Sequence, residues 1–267
     1  MDAIQIGRLA LPTSALFLLL GLTTFFLVTR WWEKRQKRTF EASMWWTLIT
    51  GVVVARAAFV LMNWSAYRQD WPSIFYLWQD GYAPLAGIFA ALLFAVLHAV
   101  RGKHPQGPML SAMGAGLAVW LGLSLVATEL ATTHDLPDLV LADLQQEPIS
   151  LHEYSGQPIV INLWATWCPP CRREMPAFQD AQQANTDVHF LFVNQREAIA
   201  TVQAFLDQEE LDLSNVLLDS GATVAGHFGS RGMPTTLFFD ADGRMLNAHL
   251  GELSRAQLHH YLKQMNN

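Results

Sequence analysis

Long apolar stretches in the first half of the chain restrict its fold more than any other feature. A transmembrane helix needs roughly 20 mostly apolar residues. Lipid offers the backbone no hydrogen-bond partners, so a segment that spans it must be a helix or part of a closed barrel. Four stretches are long and apolar enough, at about Leu11–Val28, Trp45–Asn63, Gly81–Val100 and Met109–Leu130. The sequence therefore predicts an α-helical membrane domain with four transmembrane helices.

The first stretch is expected to be a retained span rather than a cleaved signal peptide. The segment before it carries only Asp2 and Arg8, and a basic cluster follows it. A signal peptide has the opposite arrangement, with a positive leading region and a small-residue cleavage site after the apolar core.

Lysine and arginine in the loops predict the orientation, because cytoplasmic loops carry an excess of them. The first and third loops hold seven of these residues: Arg30, Lys34, Arg35, Lys37, Arg38, Arg101 and Lys103. The leading segment and the second loop hold one each, Arg8 and Arg68. The first and third loops are therefore expected in the cytoplasm, and four spans put the rest of the chain outside it. An odd number of spans would reverse that result.

The second half of the chain has a different composition. The chain is 51% hydrophobic and 15% charged, but eight of its ten tryptophans precede residue 121, while most acidic residues follow Asp135. We predict a membrane domain over residues 1–131, a linker over 132–137 and a soluble domain over 138–267. The net charge of −6 and the lack of a basic patch exclude nucleic acid as a partner.

Strands and helices alternate in the soluble domain. The runs PIVINLWAT and VHFLFVNQ are continuously apolar, which is typical of buried central strands, and CPPCRREMPAFQDAQQAN between them is predicted to be helical. GMPTTLFFD and MLNAHLGEL, joined by ADGR, have a hairpin pattern. Ser254 is placed to cap a last helix that runs to about Met265. The order predicts an α/β sheet covered on both faces.

The chain has two cysteines, Cys168 and Cys171, and they follow a predicted buried strand at the start of a helix. This is the arrangement of a redox-active CxxC pair. A structural zinc site needs four ligands, and the sequence has no second cysteine pair and only scattered histidines, so no metal is expected. A purely structural disulfide would close too short a loop to constrain the unfolded chain much. A redox pair is the favoured interpretation.

Helix position predicts which sulfur reacts. Cys168 is expected at the helix N-terminus, where backbone N–H groups and the macrodipole favour negative charge. Its pKa should fall, and the thiolate is the attacking species. Cys171, one turn further on, is expected to resolve the mixed disulfide.

Three segments resemble the TlpA/ResA family of membrane-anchored thiol-disulfide oxidoreductases: LPDLVLADL, INLWATWCPPCRREMP and GMPTTLFFDADGR. The resemblance covers about residues 135–267 and implies a thioredoxin-like fold. It implies that Glu174 accepts or relays the proton of Cys171, because Asn162 stands where thioredoxins carry a buried aspartate and cannot take a proton. The open alternative for Glu174 is a solvated glutamate on the helix surface.

The same resemblance implies a substrate-binding surface. It predicts a cis bond between Met233 and Pro234, with the Met233 backbone free to pair with an extended client segment. Trp167 is expected at the docking rim, and Trp164 in the core.

The resemblance also implies partners and a location. The membrane half has no cysteine and no evident haem or quinone ligands, so no cofactor is expected and another protein must supply electrons. Expected partners are a CcdA/DsbD-like membrane thiol donor, protein disulfide clients such as apocytochrome c, and the lipid bilayer. The expected location is the bacterial inner (cytoplasmic) membrane, multi-pass, with the C-terminal domain in the periplasm and a role in cytochrome c biogenesis.

A second resemblance concerns the membrane half. The segment VVVARAAFVLMNWSAYRQDWPSIFYLWQDGYAPLAGIF is similar to the first part of the prolipoprotein diacylglyceryl transferases, over about residues 45–100. That family has a His-Gly-Gly-Leu motif whose histidine is absent here, with Pro84 or a neighbour in its place. Arg56 inside the second span is a candidate membrane site, since a mid-membrane arginine is costly and usually has a partner. The alternative is that it snorkels to the headgroups.

Three functions remain open at this stage. The first is an extracytoplasmic reductant of client disulfides. The second is a disulfide-forming or isomerising oxidant. The third is a lipid-binding or partner-docking membrane module served by the thioredoxin-like domain.

Overall fold

The computed structural model describes residues 3–6, 9–37, 41–68, 71–75, 81–100, 106–130, 135–230 and 232–265. The chain forms two compact units. The helical unit comprises Asp2–Trp64 and Asp80–Ala131, and the α/β unit comprises Ser65–Gln79 and Thr132–Asn267. The predicted limits of the membrane domain, linker and soluble domain stay a prediction.

The helical unit contains long apolar helices. After a small antiparallel hairpin of β1 (Ala3–Ile6) and β2 (Leu9–Pro12) come α1 and α2, then α4 and α5; the short α3 between α2 and α4 falls mostly in the segment assigned to the α/β unit. Their bounds are Thr13–Gln36 for α1, Glu41–Met62 for α2, Trp64–Tyr67 for α3, Pro84–Val100 for α4 and Gln106–Leu130 for α5. The α1 helix extends beyond the predicted span, so Arg30, Lys34 and Arg35 lie on its last turns instead of in a loop.

Three of the described helices are long and apolar enough to cross a membrane, with candidate spans Leu16–Gln36, Ala42–Met62 and Leu110–Ala127. The apolar part of α4, Pro84–His98, is shorter. At 1.5 Å per residue, the 17 residues of α4 extend about 25 Å. The structure thus contains a helix at each predicted stretch, and three of the four meet the length of a span.

Glycines set the packing of the long helices. A Cβ on Gly116 of α5 would lie 2.8 Å from the carbonyl oxygen of Gly21 on α1. A Cβ on Gly87 of α4 would lie 2.7 Å from the carbonyl oxygen of Gly51 on α2. Small residues of this kind let helix backbones approach closely in membranes. The helices therefore pair as α1 with α5 and α2 with α4.

The α/β unit is built on a seven-stranded sheet with the strand order β4-β3-β7-β6-β5-β8-β9. Its strands are β3 (Val140–Asp143), β4 (Pro148–Ser150), β5 (Ile159–Trp164), β6 (His189–Gln195), β7 (Val216–Asp219), β8 (Thr235–Phe239) and β9 (Met245–Leu250). The pairs β5–β6 and β6–β7 are parallel, and the other pairs are antiparallel. Its helices are α6 (Pro169–Ala184), α7 (Ile199–Gln208), α8 (Thr223–His227) and α9 (Arg255–Met265).

The side chains of β5 alternate between two buried clusters. Val160 and Trp164 join the cluster that contains both cysteines and residues of α6, α7 and α9. Ile161 and Leu163 join the second cluster, which includes Val224 of α8. Successive side chains on a strand point to opposite faces of the sheet, so the sheet is covered on both. The predicted α/β class is confirmed.

The predicted cap of the last helix is also present. The Ser254 hydroxyl accepts a hydrogen bond from the Gln257 backbone N–H at 3.4 Å, and the Gln257 side chain accepts one from the Ser254 backbone N–H at 3.1 Å. This reciprocal pair is a capping box, and it fixes the start of α9.

Candidate active site

The CxxC pair lies where the central strand β5 passes into helix α6. The strand ends at Trp164, and the chain then turns, with the Cys168 N–H donating to the Ala165 carbonyl at 3.2 Å. Cys168 is the N-cap of α6 and Pro169 takes its first position, where a missing N–H has no cost. The Cys168 sulfur accepts a hydrogen bond from the Cys171 N–H at 3.3 Å. The structure therefore confirms that Cys168 lies at the N-terminus of a helix.

The two cysteines are joined by a disulfide, with Cα atoms 5.3 Å apart. Cys168 is 4% exposed and Cys171 is fully buried. Both residues are thus buried in the oxidised state, and of the two only Cys168 keeps any exposed surface.

Glu174 lies beneath the surface on the same helix and is 1% exposed, so it is not a solvated surface glutamate. Its Oε1 accepts a hydrogen bond from the Asn162 Nδ2 at 2.8 Å, and its Oε2 accepts one from the Leu253 N–H at 2.8 Å. Burial raises the pKa of Glu174 from 4.5 to about 8, although both hydrogen bonds act to lower it. Glu174 can therefore exchange a proton near neutral pH.

Asn162 fills the space beside this carboxyl. Its Nδ2 also donates to the Thr236 Oγ1 at 3.2 Å. Its Oδ1 is buried without a hydrogen-bond partner among the described residues. An amide that rotates by half a turn presents an acceptor in place of a donor. Asn162 can thus donate a hydrogen bond to ionised Glu174 or accept one from protonated Glu174.

The bond between Met233 and Pro234 is cis. Met233 packs against the cluster that contains both cysteines. The Pro234 carbonyl accepts a hydrogen bond from the Gly251 N–H at 2.9 Å. The predicted cis bond is therefore present, and pairing of the Met233 backbone with a client segment stays a prediction.

A short segment, 251–253, connects that loop to Glu174. Gly251 binds Pro234, and Leu253 donates to the Glu174 carboxyl. Between them, the Glu252 Oε2 accepts a hydrogen bond from the Arg173 Nε at 2.9 Å. One segment therefore holds the proline loop, the helix surface and the buried carboxyl.

The two tryptophans near the pair differ as predicted. Trp167 is 66% exposed, directly before Cys168, while Trp164 is fully buried. The indole of Trp167 therefore presents a large apolar surface beside the reactive sulfur.

Sequence reasoning did not identify Glu197. Its carboxylate accepts hydrogen bonds from the Thr166 N–H at 2.7 Å, the Thr166 hydroxyl at 2.5 Å and the Asn194 Nδ2 at 2.7 Å. Thr166 lies between the central strand and Cys168, and Glu197 follows β6. The signal for this contact is the parallel pairing of Trp164 with Asn194, which a sequence alone does not establish.

Arg56 is the candidate site of the helical unit. It is 7% exposed, and its Nη1 donates to the Gly81 carbonyl at 2.9 Å. Its guanidinium lies 5.7 Å from the centre of the Tyr82 ring, within cation–π range. Gly81 has φ of 104° and its absent Cβ would lie 2.7 Å from the same Nη1, so glycine is required there. Arg56 is therefore packed against protein partners in the helical unit.

Within the described residues, no group of three or more His, Cys, Asp or Glu side chains is arranged to hold a metal ion.

Comparison with known proteins decides the family. Residues 132–247 match the AhpC/TSA family, and residues 1–128 match the prolipoprotein diacylglyceryl transferase family. The chain is 32% identical over 128 residues to the thiol-disulfide oxidoreductase ResA of Halalkalibacterium halodurans, covering 47% of this chain and 72% of that protein. The chain belongs to the ResA family of thiol-disulfide oxidoreductases. It is thus an enzyme of that class, and both predicted resemblances are confirmed, the second over a longer range.

Other relatives of this ResA-family chain have related names. The thioredoxin-like protein YneN of Bacillus subtilis is 31% identical over 126 residues, covering 46% of this chain and 73% of that protein. A solved thiol:disulfide interchange protein from Chlorobium tepidum is 22% identical, with a TM-score of 0.46, covering 51% of this chain and 99% of that one.

Proposed function

We propose that this ResA-family protein is a membrane-anchored, extracytoplasmic reductase of protein disulfides that acts through Cys168 and Cys171. The observation that carries the proposal is the buried Glu174, whose pKa of about 8 suits it to take a proton on the same helix as the cysteines. Residues three apart on a helix are neighbours, which puts Glu174 next to Cys171.

The proposed reaction starts from the reduced pair. The Cys168 thiolate attacks one sulfur of a client disulfide, forming a mixed disulfide and releasing one client thiolate. Cys171 then gives its proton to the Glu174 carboxylate, and its sulfur attacks Cys168. The second client thiolate leaves, the Cys168–Cys171 disulfide forms, and two electrons have passed to the client.

The helix start favours the reductive direction. A strong oxidant has a reduced form that is stabilised, and donors to the first sulfur supply that stabilisation. Here Pro169 and Pro170 have no N–H, and Cys171 is the backbone donor to the Cys168 sulfur. We therefore expect a moderately stabilised thiolate and a reducing potential.

Clients are proposed to dock beside Cys168. An extended segment pairs with the backbone at Met233, a partly buried residue next to Pro234, in the manner of strand addition. Trp167 contributes apolar contact area at the rim.

Four spans are proposed for the anchor, with α4 as the shortest. The excess of basic residues at the end of α1, after it and in the third loop supports a location of the α/β unit in the periplasm of a bacterium with an inner membrane. Because the helical unit has no cysteine, electrons must come from a second protein. A CcdA/DsbD-like membrane thiol donor is the proposed source, and cytochrome c biogenesis is the proposed context.

The direction is tested by the redox potential of the pair. Equilibration of the full chain with glutathione buffers, followed by thiol labelling, is expected to give a potential below that of the periplasmic oxidants, which lie near −120 mV. A potential at or above that value would support the oxidant alternative. An impermeant thiol reagent applied to whole cells tests the orientation, since labelling of Cys168 requires an extracytoplasmic α/β unit.

A cavity in the helical unit supports a second function, the binding of a lipid chain. Its volume is about 360 Å³ and it lies between the long helices. The lining is almost wholly apolar and includes Gly21, Leu48, Gly87, Ala91 and Leu117. Replacement of Ala91 by Phe should fill part of it and reduce the lipid that copurifies with the protein, measured by native mass spectrometry. Unchanged lipid retention would remove this function.

A further inference from the structure

Glu197 joins the two loops that follow the central parallel strands of the α/β unit. Its Oε2 accepts hydrogen bonds from the Thr166 N–H and the Asn194 Nδ2, both at 2.7 Å, and its Oε1 accepts one from the Thr166 hydroxyl at 2.5 Å. Charge-assisted hydrogen bonds of this length are the stronger kind. We refer to Glu197, Thr166 and Asn194 as the carboxylate clasp.

The clasp acts on the turn that carries the reactive sulfur. Thr166 is two residues before Cys168, and the Cys168 N–H closes the turn by donating to the Ala165 carbonyl at 3.2 Å. Trp167 is 66% exposed, so burial holds it less than it holds Ala165 and Cys168 on either side. Holding the Thr166 backbone N–H therefore fixes the part of the turn that packing leaves loose.

The backbone directly before Glu197 has an unusual conformation that orients its carboxylate. Arg196, directly before Glu197, has φ of 60°, a conformation that is uncommon for residues other than glycine. Its N–H donates to the Asp219 carbonyl at 3.1 Å. Unusual backbone of this kind persists where the surrounding structure requires it, and here it directs Glu197 toward Thr166.

We infer that Glu197 is a positioning residue that fixes the Trp167–Cys168 turn for attack on a client disulfide. It acts through Thr166 and touches neither the client nor the sulfurs in the proposed reaction. The inference rests on the proposed role of Cys168 as the attacking sulfur.

Two substitutions separate geometry from charge. Glu197→Gln keeps the length: its Oε1 accepts from the Thr166 N–H and Asn194, while its Nε2 donates to the Thr166 hydroxyl. Glu197→Asp keeps the charge but is one methylene too short to reach all three partners. A positioning role therefore predicts that glutamine substitutes well and aspartate does not.

The experiment uses the full chain in detergent, a disulfide-containing peptide and dithiothreitol to regenerate the reduced pair, with kcat and KM measured above the uncatalysed rate from pH 5 to 9. Glu197→Gln should keep kcat/KM within about twofold of the unaltered protein and leave the pH profile in place. Glu197→Asp should lower kcat/KM by about tenfold, since small displacements of a reacting group have effects of this order. Glu147→Ala, at an exposed glutamate of the β3–β4 turn, is the matched control.

The opposite pattern overturns the inference. A glutamine variant as slow as the aspartate variant, or a shift of its pH profile to lower pH, would mean that the charge matters and not the position. An aspartate variant with unaltered kcat/KM would also overturn it. If Glu197→Asp fails to fold, Glu197→Ala removes the acceptor of the Thr166 N–H without leaving a misplaced charge. An unchanged rate in that variant contradicts the inference, and a slower rate beside a normal Glu197→Gln supports it.

Cys168→Ala separates this inference from the proposed function. Its activity should fall to background in the same assay. Residual activity there would overturn the role of Cys168 itself, whatever the Glu197 variants do.

Discussion

The two units of the protein bury charge in opposite ways. Arg56 in the helical unit is 7% exposed and lies against the Gly81 carbonyl and the Tyr82 ring. Glu174 in the α/β unit is 1% exposed and accepts two hydrogen bonds. An arginine cannot lose its proton in a protein, whereas burial brings the pKa of Glu174 to about 8. The first is a permanent charge that organises a loop, and the second is a charge that can appear and disappear during a reaction.

The two units also differ in how their interiors are packed. In the helical unit, Gly21 meets Gly116 and Gly51 meets Gly87, so backbone lies against backbone. In the α/β unit, large side chains such as Trp164, Phe178 and Phe192 fill the core beside the cysteines. The proposed redox chemistry lies in the α/β unit, whose core holds both cysteines.

The largest expected effect tests whether chemistry is confined to the α/β unit. Cys168→Ala should abolish reduction of a disulfide peptide by the full chain, because the remaining thiol, Cys171, is fully buried. Arg56→Leu should retain most of that activity in detergent. Strong loss of peptide reduction in a folded Arg56→Leu protein would show that the reaction is not confined to the α/β unit.

The second prediction concerns glycine packing. Gly116→Leu should destabilise the helical unit by roughly 1–3 kcal/mol or more, because its Cβ would lie 2.8 Å from the Gly21 carbonyl oxygen. Gly114→Leu on the same helix is the control, since a Cβ there meets nothing within 4 Å. Thermal unfolding in detergent measures both, and equal unfolding temperatures would contradict the close α1–α5 approach.

The third prediction concerns pH and stability. The pKa of Glu174 is raised on folding, so the folded state binds more protons between about pH 4.5 and 8 and is progressively destabilised as the pH rises through that range. Glu174→Gln should remove this loss, which is on the order of a few kcal/mol. Denaturant unfolding of both proteins at pH 5, 7 and 9 measures it. A constant stability difference across the three pH values would sink the assignment.

The fourth prediction concerns proton transfer. The resolving step of the unaltered protein should accelerate as Glu174 ionises through about pH 8, whereas the Glu174→Gln protein should lack that inflection and be slower by about tenfold above it. Stopped-flow tryptophan fluorescence follows the step. An inflection that persists in the glutamine variant would have to come from a cysteine.

The smallest expected effect tests the fixed charge. Arg56→Lys keeps the charge but loses the planar fork and the stacking surface. It should lower the unfolding temperature in detergent less than Arg56→Leu, which also leaves the Gly81 carbonyl without its charged donor. Equal effects of the two substitutions would show that guanidinium geometry matters more than charge.

Several elements of the fold and of the candidate site could be predicted from the sequence because they depend on residues close together in the chain. The strand before Cys168, the helix after it and the cap at Ser254 each follow from a few adjacent residues. The burial of Glu174 could not be predicted from its neighbours, because Leu253 reaches it from 79 positions away. Glu197 was missed for the same reason, since its partner Thr166 is 31 positions earlier. In the helical unit, Gly116 is one of several glycines of α5, and the sequence does not indicate which one faces α1.

The protonation of Glu174 also has an electrophoretic consequence. The formal net charge of −6 counts every aspartate and glutamate as ionised. With a pKa of about 8, Glu174 is mostly neutral at pH 7, so the oxidised protein carries about one negative charge fewer than that formula assigns. Its isoelectric point should therefore lie slightly above the value for the same chain in urea, although the two have the same amino-acid sequence.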